Sequence, residues 1–421
     1  MLSNKCQGCP PIEIITQDRD NKEARKTSID SFVSRNEPHK VTVIFAEANF
    51  IRHCDHCRQL FTDKFQMPEL WWTDWCKRSN GYFGCEEMVD EKGETEAHST
   101  WLRFLIKHCS DNPTKGYFWY KLNIFTRWEY STKSTTILVF DPKPAVRAHL
   151  AEKLFDSRKG LDAEDPYWPH CILAEEAVHL QDDAVWSIRT FVRNLEKNRP
   201  SRQNLVPNYA DRHELARHAI HVLETLELGT KTINDMIIQH DRLQRGTDTA
   251  HHRQISRQLQ FLHHTMRSLY CRSDSNKERL LNENQLAFHV MAQFDSEMSV
   301  EIGHAAQSDS AAMKTIAVLT LIFLPATFVS AIFSTSFFNF DAGSGDWGMS
   351  DKFWMFWAVS IPITLVTVAM WLLWHKFFPQ KLIGEEDLRA RRRATQLDSL
   401  HHAALVELAK KGGEKDVGKM V

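Results

Sequence analysis

No Gly-rich phosphate loop, HExxH metalloprotease pair or GxSxG nucleophile elbow occurs in the 421 residues, so there is no positive case for an enzyme. Basic charge is not in excess either. With 52 Lys and Arg against 54 Asp and Glu the formal net charge is −2, whereas a general nucleic-acid binder needs a basic surplus to release phosphate counterions. No nucleic-acid partner is expected. Nine cysteines, an odd number scattered over a long chain, do not describe a secreted disulfide framework, and the thiols are expected to be reduced. The first ~35 residues carry Asp18, Asp20 and Glu23 and no apolar core, unlike a secretory signal or an acid-poor, Arg-rich presequence. A flexible leader over residues 1–38 is expected, with the soluble part in the cytosol and the plasma membrane favoured over an organelle membrane.

Charge is also missing locally. Residues 315–334 and 353–374 contain no Asp, Glu, Lys or Arg, and each run has about the ~20 apolar residues needed to cross a hydrocarbon core of ~30 Å. Both are expected to span a lipid bilayer. Lys314 precedes the first run, and Lys376, Lys381, Arg389, Arg391, Arg392 and Arg393 follow the second. The connection holds Lys352 against Asp341, Asp346 and Asp351, so positive-inside topology places both termini in the cytosol and the connection outside. There the three aspartates can concentrate cations at an outer mouth.

The rest of the chain falls into a β-rich and a helical part. Segments 41–45, 117–128 and 135–140 are rich in aromatic and β-branched residues, which predicts a sheet. Trp71, Trp72, Trp75 and Trp101 predict a helical, well-buried layer on that sheet over residues 47–110. Beyond Pro144 helical patterns take over, at 169–197, 209–243, 252–272 and from near Lys277 onward. No Pro or Gly pair stops the last one before the first apolar run, and Leu280, Ala287, Met291, Phe294, Met298 and Ile302 recur at helical steps. The expected organisation is an α/β cytosolic domain over 39–275, an N-terminal sheet with helices followed by long helices. A stalk helix follows over 276–314, then transmembrane helices over 315–334 and 353–374 around an outer loop at 335–352, and a basic cytosolic tail over 375–421.

Two spans cannot enclose an aqueous pore, so conduction requires a homo-oligomer. On the first span Ser310, Met313, Ala317, Thr320, Leu324, Thr327, Ala331 and Ser334 recur at alternating steps of three and four, one helical face that is small, polar or flexible. The other positions are mostly bulky and apolar. That face is expected to line an axis, although small and hydroxyl residues also serve simply to let membrane helices pack closely. With no ionisable group in either span, a cation would pass largely hydrated, which suits magnesium because it gives up its water reluctantly.

Met313, Lys314, Ile322, Phe323, Leu324, Pro325, Thr327, Phe328 and Ile332 resemble the first span of CorA-type magnesium transporters. The long preceding helix, the two C-terminal spans and the acidic outer loop agree with that order. The resemblance implies a CorA-like funnel, a homopentamer conducting Mg2+ or another divalent cation, with no resident cofactor. It further implies that Met313 and Ile316 form an apolar constriction near the cytosolic end, with Thr327 as a polar ring further out. Ser310 stands where such transporters often carry an asparagine ring. The family's Gly-Met-Asn signature at the outer end is replaced by Ser334, Thr335 and Ser336, whose hydroxyls reach less far than an asparagine amide. A non-conducting descendant acting as a membrane-tethered regulatory or interaction module is therefore the alternative.

Cys6 with Cys9 and Cys54 with Cys57 make two CxxC pairs, the second flanked by His53 and His56. These are ligand types of tetrahedral zinc, and two unrelated reduced thiol pairs are the other possibility.

Overall fold

The computed structural model describes residues 6, 8–18, 21–33, 39–90, 93–110, 116–155, 164–199, 209–243, 249–340 and 347–377. The chain opens on a hairpin of β1 (Ile12–Asp18) and β2 (Asn21–Thr27), followed by a short helix α1 (Ile29–Val33). Structure thus begins well before Val41, and the expected flexible leader over 1–38 is corrected. The reason lies in β1, where Ile12 and Ile14 enter one core cluster and Ile15 the other, all of them buried. The polar look of the region comes from β2, an edge strand whose charged residues remain largely exposed, as edge strands require.

β1 also pairs antiparallel with β3 (Val41–Ala46), the first strand of the sheet's middle. After β3 come two helices, α2 (Ala48–Arg52) and α3 (Asp55–Phe65), a single 3-10 turn at Glu69–Trp72 and a helix α4 (Asp74–Arg78). Four strands complete a seven-stranded sheet: β4 (Gly81–Val89), β5 (Thr95–Cys109), β6 (Tyr117–Glu129) and β7 (Ser134–Phe140). The order is β2-β1-β3-β7-β6-β5-β4, with β3 and β7 parallel and the other neighbours antiparallel. The helical layer expected over 47–110 is therefore confined to 48–78. β5 escapes a hydrophobic-alternation reading because its buried positions include Ser99, Thr100, Arg103 and Lys107. Their polar groups are largely met inside the fold: Thr100 Oγ1 lies 2.6 Å from Thr126 Oγ1, Arg103 Nε donates to the Ser79 carbonyl at 2.5 Å, and Lys107 sits over the Tyr117 ring.

Because successive strand residues face opposite sides, the sheet has two cores. Ile44, Ala46, Leu138 and Phe140 face the layer of short helices, where the Trp71 ring lies 4.5 Å from that of Phe140 and Phe61 packs beside them. Trp72 is buried there and Trp101 packs against it, whereas Trp75, expected inside, is exposed. Val41, Val43, Phe45, Ile137 and Val139 face the other way. That side is covered by α5 (Pro144–Lys153), α6 (Trp168–Lys197), α7 (Tyr209–Leu243) and the first part of α8 (Ala250–Phe337).

α8 replaces the two helices expected at 252–272 and from 277. Its buried residues Ile255, Leu259, Leu262, Met266, Leu269, Ser273, Asn276, Leu280, Glu283 and Ala287 continue one seam across residues 273–276, which lay between the two expected helices. Asn276 Nδ2 donates to the Val185 carbonyl, and Arg199 grips Glu283 with two nitrogens at 2.6 and 3.1 Å. The polar residues are thus tied into the seam.

The chain divides into two compact units, Met1–Asp295 and Ser296–Val421. In the second, α8 ends at Phe337 and a small antiparallel ribbon, β8 (Phe338–Phe340) with β9 (Trp347–Met349), leads to α9 (Trp354–Phe377). The outer segment expected to be a loop over 335–352 thus contains the last helical turn and a ribbon.

Candidate functional site

Since α8 is unbroken through its apolar end, Ser310, Met313, Ala317, Thr320, Leu324, Thr327, Ala331 and Ser334 share one stripe along it. Ser310 is half-buried and the others are exposed in the single chain, as is Ile316 one position aside. The hydroxyls have a common geometry. Thr320 Oγ1 donates to the Ile316 carbonyl at 2.9 Å, Thr327 Oγ1 to that of Phe323 at 2.7 Å, and Ser334 Oγ to that of Ala331 at 3.3 Å. In these three the hydroxyl hydrogen is used within the helix, so what they turn outward is oxygen lone pairs. A row of acceptors suits the water shell of a cation, whose outward groups are donors.

Away from the stripe, Ile322, Phe323, Phe328 and Ile332 are exposed, as are Leu365, Leu372 and Leu373 on α9. Both helices are long and apolar enough to cross a membrane, and apolar surface on this scale needs lipid or other copies of the chain over it. Pro325 and Pro362 lie inside the two helices, each removing one backbone donor. Such losses are tolerated in membrane helices where hydroxyls or neighbours compensate. At the far end Ser334 occupies the last turns of α8. Thr335 and Ser336 continue the helix, but their side chains lie outside the described residues, as do Asp341 and Asp346 and the basic cluster Arg389 to Arg393. Asp351 is described and exposed.

Two further clusters lie in the first unit. The four cysteines of the CxxC pairs converge, although they come from two distant segments. The other cluster had no local sequence signal. Asp165 accepts from the Tyr167 amide at 2.8 Å, its Oδ2 lies 2.8 Å from His240 Nε2, and His252 Nδ1 stands 3.0 Å from the same nitrogen. The three residues precede α6, end α7 and begin α8, so the cluster clasps three helix ends. Burial pushes the Asp165 carboxyl up, but the hydrogen bond and charge of His240, with the Tyr167 amide and the charge of His252, outweigh it and hold the carboxyl below the usual range. Only the pair of histidines flanking the α7–α8 connection could have hinted at it.

Beside this clasp the Tyr167 ring lies 4.6 Å from that of His170 and 5.5 Å from that of His98. Burial lowers His98 to about 4 and His170 to about 3, with Asp165 opposing the shift in both. Both imidazoles are neutral at pH 7.

No protein-family model matches the chain. A curated relative, the "Notoamide biosynthesis cluster protein M'" of Aspergillus versicolor, is 31% identical in an alignment 292 residues long that covers 63% of this chain. The chain matches 61% of that relative's length, less than two thirds of it. Among solved structures the chain is similar to the full-length CmaX protein, at 12% identity over 89% of this chain and 99% of that one, with a TM-score of 0.43. It is also similar to the CorA magnesium transporter of Methanocaldococcus jannaschii, at 11% identity over 85% and 96% of the two chains, TM-score 0.38. The ZntB cytoplasmic domain from Vibrio parahaemolyticus is 11% identical over 68% of this chain and 100% of its own, TM-score 0.43. At these scores neither a family nor any residue role is carried over from those proteins.

Proposed function

We propose that copies of this chain gather about an axis with the first-span stripe inward and conduct hydrated divalent cations, magnesium foremost, driven by the membrane potential. The observation that carries this reading is the stripe itself: a charge-free helical face from Ser310 to Ser334 in which the Thr320, Thr327 and Ser334 hydroxyls donate inward to the helix and leave acceptors outward. A magnesium ion keeps several of its waters. Acceptor rings can hold that shell without stripping it.

In this arrangement Met313 and Ile316, exposed and flexible or apolar, narrow the cytosolic end and gate it by dewetting. Ser334, Thr335 and Ser336 form the outer mouth, and Asp341, Asp346 and Asp351 raise the local cation concentration before it. Five copies follow from the sequence resemblance, and both termini in the cytosol from the flanking charges. The Ser-Thr-Ser mouth favours one second reading, an assembly that no longer conducts and serves as a membrane-tethered interaction module.

Purified full-length protein in detergent is expected to have the mass of an oligomer, and in liposomes to pass magnesium well above empty vesicles under an inside-negative potential. A monomer contradicts the pore outright. An oligomer without magnesium, cobalt or zinc flux supports the non-conducting module instead.

A further inference from the structure

The two CxxC pairs lie in the first unit, and none of their cysteines belongs to the first-span stripe. Their four Sγ atoms all lie within 4.8 Å of one another, close to the spacing of ~3.8 Å that sulfurs take when each is ~2.3 Å from one tetrahedral zinc. None of the four is joined in a disulfide. We propose that Cys6, Cys9, Cys54 and Cys57 bind a structural zinc ion that staples the start of the sheet to the helical layer beneath it.

The local geometry is that of two ligand turns. In the first, Gly8 adopts φ +91°, a left-handed conformation that suits glycine, and the Cys9 amide donates to Cys6 Sγ at 3.3 Å. A backbone N–H aimed at sulfur stabilises the thiolate form that a metal needs. In the second turn, Cys54 is the N-cap of α3 and Cys57 lies in its first turn. The free amides and positive end of this eleven-residue helix favour negative sulfur there. Each thiol gives up its proton as its sulfur takes one of the four metal positions, leaving a closed site with no place for water or substrate.

The flanking histidines are not ligands. His56 Nε2 is engaged with Asp30 at 2.6 Å, and His53 lines an open pocket beside Cys9 and Cys54 without joining the cluster. That pocket offers a path of entry. Cys54 and Cys57 are buried in the core of the helical layer, and Cys6 and Cys9 pack against it half-buried. α1, α2 and α4 have five residues each, too short to hold themselves, so this layer gains much from a cross-link that ties the chain just before β1 to the start of α3. In a reducing compartment a metal serves where a disulfide would not persist.

The test is metal analysis of the full chain purified under reducing conditions without added chelator. One zinc per chain is expected, falling to near zero in Cys6→Ala and in Cys54→Ser, while Cys271→Ser, an exposed thiol outside the cluster, keeps it. Because Cys54→Ser can unfold the layer, a second measurement uses the wild-type chain. Zinc exchanged for cobalt(II) is expected to give the visible bands of a tetrahedral tetrathiolate. A metal-free chain that gains no such bands, zinc retained at one per chain in Cys6→Ala, or intact mass showing these thiols paired as disulfides would each overturn the site.

Discussion

Replacing Thr320 and Thr327 together with valine is expected to lower magnesium flux into liposomes by about a hundredfold while leaving the oligomer's mass unchanged. Valine keeps the branched shape at Cβ, so the stripe still packs as before. What disappears is the pair of oxygens that the helix turns outward, each now held by a bond to the carbonyl four residues back. A hydrogen bond from the hydrated ion is worth ~1 kcal/mol net, and losing one or two at each of two rings amounts to ~3 kcal/mol, or about a hundredfold. Flux in the double variant measures this directly. Should these hydroxyls serve only helix packing, the oligomer would dissociate instead, and flux per intact oligomer would stay the same.

Acid is expected to begin destabilising the first unit near pH ~6.5, above the carboxylate range. His98 and His170 are held at about 4 and about 3 by burial, against an unfolded value of ~6.5. Their folded values are depressed, so their share of the stability is whole above pH ~6.5 and is lost as the pH falls through 4 and then 3. In that window each contributes up to ~1.4 kcal/mol per pH unit. Asp165, also depressed, adds a further loss as the pH falls below the ordinary aspartate value. Tryptophan fluorescence of the full chain in denaturant at pH 7, 6 and 5 reads the effect. The midpoint should fall at each step, and His98→Gln, which cannot protonate, should flatten the slope by about one proton. An equal slope in the variant would show that His98 is not the group involved.

The parts of the molecule that local pattern determines are those the sequence makes legible. α7 occupies Tyr209–Leu243, the span of its pattern, because a three-to-four-residue apolar rhythm depends on nothing beyond the helix. The uncharged runs ending α8 and forming α9 are legible for the same reason. Where tertiary contacts override composition, legibility ends. The three isoleucines of β1 are too few to stand out beside the charges of β2, and they form a strand because β3 is there to pair with. β5 buries polar side chains whose partners lie on β6 and α6, as Thr100 does with Thr126 and His170. Residues 273–276 fall between two expected helices, and α8 runs through them where α6 supplies a carbonyl for Asn276.

The candidate sites divide in the same way. The stripe is a matter of spacing on one helix and can be written down from residue numbers. The Asp165 clasp and the cysteine cluster depend on residues from segments far apart in the chain, and only the folded chain brings them together. The CxxC spacing points to zinc chemistry, but only the folded chain, in which β1 and α3 feed one core cluster, places both pairs at one point.

Cysteine-accessibility labelling of the reconstituted oligomer addresses the inward-facing stripe most directly. All nine native cysteines precede Lys277, so a label on a single cysteine introduced between positions 310 and 334 is read on its own peptide. With a small membrane-impermeant reagent, positions 317, 320, 324 and 327 should react, and positions 322, 323 and 328 should not. Labelling that leaves 320 and 327 shielded in every ionic condition while 323 and 328 react would show that the acceptor face points away from water.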